Sequence, residues 1–108
     1  VSSDRAYPSW VRLLLHKLAA HAHDRMVERT PFPRSHVDEL QRSVDALGLD
    51  PGTYHLPLRH RDGTVLGYAQ FKAVPERRAP VLATVLGPTM KPGGFDIEDL
   101  LRGGVHAR

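Results

Sequence analysis

The chain is expected to fold as an α+β domain, with two N-terminal helices packed on one face of a small antiparallel sheet of three to four strands. Three observations lead there. Apolar residues recur at helical spacing through the first half, alternate at strand spacing from Tyr54 onward, and are interrupted by an Asp-Gly pair between two strand-like runs. Helices first and strands after is a segregated order, which places the helices against a face of the sheet. At 108 residues the chain has room for one core, so a single domain over 1–108 is expected, with loose ends at about 1–7 and 103–108.

Trp10 to Arg29 contains neither Gly nor Pro and is expected to be one long helix, with Ser9 as its N-cap. Thr30-Pro31-Phe32-Pro33 stops it, because proline cannot continue the hydrogen-bond ladder. A second helix is expected from His36 to Leu47, capped by Ser35, with Asp38 in a capping-box-like position and Gly48 at its end. Val37, Leu40, Val44 and Leu47 fall on one face of it. Tyr54, Leu56 and Leu58 then alternate with His55, Pro57 and Arg59, giving a strand that Pro57 confines to an edge or interrupts with a bulge. Arg61-Asp62-Gly63-Thr64 is a hairpin turn, and Val65 to Val74 is the return strand. After a charged loop from Pro75 to Pro80, the nearly continuous apolar run Val81 to Leu86 predicts a central strand. A last helical turn is expected near Ile97 to Leu101.

Composition narrows the function classes. A 41% hydrophobic and 25% charged chain is globular rather than disordered. No apolar run approaches the roughly 18 residues of a membrane span, and the opening Val-Ser-Ser-Asp does not resemble a secretory leader, so no membrane partner and a cytoplasmic location are expected. With no cysteine, disulfides, thiol catalysis and thiolate metal sites fall away together. A net charge of +3 is too mild to indicate nucleic acid by its sum.

The first helix carries the most information. At about 100° per residue, Val11, Leu14, Leu18 and Ala22 lie within roughly 40° of a common line that should face the sheet. Continued toward the C-terminus, that line meets Arg25 and Arg29, with His21 on its flank. Guanidinium groups so placed either bind an anion such as phosphate in a solvent-filled cleft or pair with Glu28, Asp24 or another acid while the helix end overhangs the sheet. His21 and His23 project about 200° apart and cannot chelate one ion together, and His16, His36, His55, His60 and His106 are scattered, so no metal and no cofactor are expected. Signatures of serine hydrolases, P-loop NTPases and dinucleotide enzymes are missing. Thr84 is the one polar residue in the run Val81 to Leu86, where threonine ordinarily serves as a strand former.

The segment His21-Ala22-His23-Asp24-Arg25-Met26-Val27-Glu28-Arg29 resembles the His-Ala-x-x-Arg-Met-x-x-Arg helix of small toxin-like domains in the barnase–EndoU–colicin–RelE superfamily. Thr84-Val85-Leu86 is similar to the late Thr-Val strand of those domains, and Gly87 to Pro92 to their short Met- and Pro-containing endings. The insertion Thr30 to Pro33 departs from the pattern. The resemblance implies an endoribonuclease of bacterial toxin type that cleaves RNA without metal, by attack of the ribose 2′-hydroxyl on the adjacent phosphorus. It implies His21 as general base or acid, Arg25 and Arg29 on the scissile phosphate, and Thr84 orienting the phosphate or the attacking hydroxyl. Lys91 would contact the RNA backbone and Tyr68 would stack a base. An antitoxin, immunity or scaffold protein is the partner implied beside RNA.

Two other readings stand beside this one. The same fold can serve as a non-catalytic structural or protein-interaction module, for example in a phage particle or a regulatory complex. It can also bind nucleic acid without cleaving it, which would use the arginines and leave His21 and Thr84 idle.

Overall fold

The computed structural model describes residues 9–75 and 77–102; the loose ends expected at 1–7 and 103–108 lie outside the described residues. The elements run α1 (Ser9–Arg29), α2 (Ser35–Leu47), β1 (Tyr54–Arg59), β2 (Val65–Lys72), β3 (Val81–Leu86), β4 (Phe95–Asp96) and α3 (Ile97–Arg102). The fold is α+β, with the N-terminal helices packed against a sheet of strand order β3-β2-β1-β4. β2 runs antiparallel to both of its neighbours, β1 and β3. The sheet is nonetheless mixed, because the short β4 joins β1 in parallel. No helix among the described residues is long and apolar enough to cross a membrane.

Local chemistry explains most of the boundaries. α1 ends at a threonine cap: Thr30 Oγ1 donates to Met26 O at 2.7 Å and accepts the Phe32 N–H at 3.1 Å. α2 starts one residue before its expected first residue, and Ser35 is not its cap. Arg34 holds that position with helical torsions, and the His36 and Val37 N–H groups are satisfied by Pro33 O and Arg34 O instead. Gly48 ends α2 at φ 66°, a left-handed conformation open to glycine at little cost. In the hairpin, Gly63 sits at φ 92° and the Asp62 carboxylate accepts the Thr64 N–H at 2.9 Å.

β1 lies between two strands, yet β4 pairs only with Tyr54 and His55. At the level of Pro57 one side of β1 is therefore free, so the missing proline N–H costs no ladder bond there. A register shift follows immediately, between Leu58 and Arg59.

β3 departs from expectation: it is an edge strand, not a central one. Its apolar run is buried because the helices cover what the sheet leaves open. Arg29 Nη1 of α1 donates to Val85 O at 3.0 Å. Gln41 of α2 accepts the Leu82 N–H at 2.8 Å and donates to Pro80 O at 3.0 Å. Side chains thus satisfy backbone groups at an edge that would otherwise be open to another strand.

The core lies between the helices and one sheet face. It joins Ala22 and Met26 of α1, Val37, Leu40 and Val44 of α2, Tyr54 and Leu58 of β1, Ala69 and Phe71 of β2, Leu82 and Val85 of β3, and Ile97 of α3. On α1 the buried line passes through Met26, while Arg25 falls to its flank. On α2, Leu47 was expected to point inward but is 41% exposed.

Candidate active site

Strand residues alternate between faces, and residues directly opposed on neighbouring strands share one. Leu56, Ala69 and Val85 are opposed in one row, with Ala69 and Val85 fully buried in the core. The rows on either side of it therefore look away from the core. One joins His55, Gln70 and Thr84, and the other Pro57, Tyr68 and Leu86.

α1 reaches this second face from beyond the edge. Successive helical residues project about 100° apart, so Ala22 can enter the core while His21 reaches around β3. His21 Nε2 and Thr84 Oγ1 lie 2.9 Å apart and share a hydrogen bond between residues 63 positions apart in the chain. His21 is exposed and Thr84 half-buried.

One turn on, Arg25 Nη1 donates to Glu28 at 2.7 Å. Arg25 Nε is buried and, among the described residues, has no hydrogen-bond partner. One guanidinium nitrogen is thus paired, while the buried Nε is left without a partner. Another turn on is Arg29, committed in part to Val85 O. Of the two arrangements open to these arginines on sequence grounds, pairing with an acid is present for Arg25, through Glu28. Arg29 bonds a backbone carbonyl and, among the described residues, no carboxylate, while Asp24 pairs with Arg34 at 3.0 Å. His23 is directed elsewhere: Nδ1 donates to Ala19 O at 2.6 Å, and Nε2 lies 3.5 Å from Asp38 on α2.

Of the six residues singled out in the sequence, His21 and Thr84 are in contact, and Arg25 and Arg29 follow His21 along α1. Tyr68 lies on the Thr84 face in the adjoining row, half-buried, with its ring 6.0 Å from that of His55 in an edge-on arrangement. Lys91 is exposed in the crossover loop 87–94 and makes no hydrogen bond or ion pair among the described residues.

Sequence reasoning passed over the centre of the same face. Gln70, 7% exposed, grips the backbone of Gly93: its Oε1 accepts the Gly93 N–H at 2.8 Å, and its Nε2 donates to Gly93 O at 3.1 Å and to Tyr54 O at 2.9 Å. His55 Nδ1 donates to the same Gly93 O at 2.9 Å, and its Nε2 lies 3.8 Å from Asp96. Both His55 nitrogens face oxygens, so this histidine holds the crossover loop rather than offering a free base. The available signal was the alternation of Tyr68 and Gln70 with Gly67, Ala69 and Phe71, which assigns the first two to one face.

At the far end of β1, Arg59 donates to both carboxylate oxygens of Glu98, at 2.9 and 2.8 Å. That bond holds the Glu98 carboxyl below its ordinary range, and Glu98 raises Arg59 in return. Two open cavities of about 490 and 460 Å³ lie where α2 runs into β1 and share Gly48, Leu49 and Asp50; none of the six singled-out residues lines either one. Among the described residues no three His, Asp or Glu side chains gather as metal ligands. Compared with known protein families, curated proteins and solved structures, the chain matches none of them.

Proposed function

We propose that the domain is a metal-independent endoribonuclease of bacterial toxin type. The observation that carries this reading is the 2.9 Å contact between His21 and Thr84, which sets an imidazole and a hydroxyl side by side on a sheet face turned away from the core. An imidazole titrates near neutral pH and suits proton transfer to or from a ribose hydroxyl. Arg25 supports the same reading, since its partly exposed guanidinium, one turn on from His21, keeps donors beyond the one held by Glu28 for a phosphate oxygen. Arg29, Lys91 and Tyr68 would extend the contact to neighbouring phosphates and a base. The 2′-oxygen would attack phosphorus as the 5′-oxygen leaves, giving a 2′,3′-cyclic phosphate and a 5′-hydroxyl. The implied setting is cytoplasmic, with an antitoxin or immunity protein as partner.

A second reading, a non-catalytic protein-interaction module of a phage particle or regulatory complex, is favoured by one observation. Arg25 and Arg29 already have partners within the chain, in Glu28 and Val85 O. A non-cleaving nucleic-acid binder gains nothing comparable.

The deciding experiment is incubation of total RNA with the purified protein in EDTA, beside a His21→Ala, Arg25→Ala double variant. Cleavage by the parent alone, leaving cyclic phosphate ends, is the expected result. A folded parent that leaves several RNAs intact would move the protein to the interaction reading.

A further inference from the structure

The direction of the His21–Thr84 hydrogen bond decides what either group can do. A threonine hydroxyl has one proton to give and lone pairs to accept with, while a neutral imidazole carries a proton on one nitrogen only. Among the described residues, Thr84 Oγ1 has His21 Nε2 as its one partner, and His21 Nδ1 has none. The contrast with His23 is informative, because there Nδ1 is consumed by Ala19 O within the same helix.

If the hydroxyl donates to Nε2, its single proton is spent on the ring, and Nδ1 must carry the ring proton. Neither group could then take a proton from a substrate, and the hydroxyl could not donate to one. If Nε2–H donates to Oγ1, the hydroxyl proton is free to point at an anion, and the Nδ1 lone pair is left facing solvent at an exposed position. A phosphate drawn to Arg25 favours this second orientation, because bonds in a chain polarise one another and each donor strengthens the next.

We propose that His21 and Thr84 form a directional relay, in which His21 Nε2–H donates to Thr84 Oγ1, the Thr84 hydroxyl donates to a phosphate oxygen, and His21 Nδ1 is the proton acceptor. The proposal rests on the ribonuclease reading and sharpens it, making Nδ1 the base and Thr84 both the group that fixes its tautomer and a phosphate ligand. The 2′-hydroxyl proton passes to Nδ1 as the 2′-oxygen bonds to phosphorus. The bond from phosphorus to the 5′-oxygen breaks, that oxygen takes a proton from water, and the imidazolium returns its own proton to solvent.

The test combines spectroscopy with kinetics. Long-range ¹H–¹⁵N correlation at about pH 8.5, above the ordinary imidazole range, reports the tautomer of neutral His21. It is recorded on the parent with a DNA dinucleotide, which offers the phosphodiester without the attacking hydroxyl. The Nε2–H tautomer is expected. In RNA cleavage, Thr84→Val keeps the branched shape and should lose about 100-fold in kcat, as removal of one such donor typically does, while Thr84→Ser should retain most of it. An Nδ1–H tautomer, or a Thr84→Val variant as fast as a parent that cleaves RNA, overturns the relay and leaves the ribonuclease reading standing. A parent that cleaves no RNA overturns both.

Discussion

Gln41 of α2 accepts the backbone N–H of Leu82 at 2.8 Å, taking the place a neighbouring strand would have on the open side of β3. The same side chain also donates to Pro80 O. Leu82 is 1% exposed, so its N–H has little access to water as a substitute. Gln41→Leu is therefore expected to destabilise the fold by about 1–3 kcal/mol, the cost of stranding a buried donor. Urea unfolding measures it, and a variant as stable as the parent would mean that the edge is satisfied in another way.

Met26, fully buried, and Val27, 50% exposed, are adjacent on α1. Met26→Ala should cost about 2–5 kcal/mol through lost burial and the space left behind. Val27→Ala should stay within about 0.5 kcal/mol. Equal effects in thermal or urea unfolding would contradict the orientation of α1 on the sheet.

The two arginines are expected to separate. Arg29→Ala removes the donor to Val85 O and should lower stability by about 1–3 kcal/mol. Arg25→Ala removes an i,i+3 pair with Glu28, worth no more than about 0.5 kcal/mol on a helix surface. If the domain cleaves RNA, Arg25→Ala should lose activity with its melting temperature nearly unchanged. A variant that loses both together would make Arg25 a structural residue.

The Arg59–Glu98 pair sets an acid limit. Because the folded carboxyl lies below its unfolded value, the pair contributes stability that is present above the ordinary Glu range, about pH 4.3. That stability is lost as pH falls further, through the folded value. Arg59 stays charged throughout this range, so the carboxylate alone governs the loss. Melting temperature followed from about pH 6 to pH 2 should fall less steeply in Glu98→Gln than in the parent. Parallel curves would show that the pair contributes nothing to stability.

Several elements were legible because the signals are local. Asp62-Gly63 marks a turn whose torsions glycine accommodates, Gly48 marks a helix end, and the spacing of Val37, Leu40 and Val44 names a buried face. The succession of His21, Arg25 and Arg29 on neighbouring turns follows from helical periodicity alone. The breaks came where a residue's surroundings are set by distant parts of the chain. An apolar run such as Val81 to Leu86 reports burial but not its source, and here helices bury it in place of a second strand. Ser35 has the chemistry of a cap, yet the turn from Pro33 carries the helix start past it.

The sequence by itself determined which residues share a helical turn or a strand face, since those relations depend only on the repeat of the local backbone. It also determined the α+β order, because turn and stop residues separate the two periodicities. Only the tertiary structure decided that β3 is an edge, that α1 docks along it so that His21 meets Thr84, and that Gln70 and His55 hold the crossover loop on the same face. Those contacts join residues far apart in the chain. They arise from how helices and sheet close-pack around Met26, Phe71 and Leu82, a shape-fitting problem that no local spacing encodes.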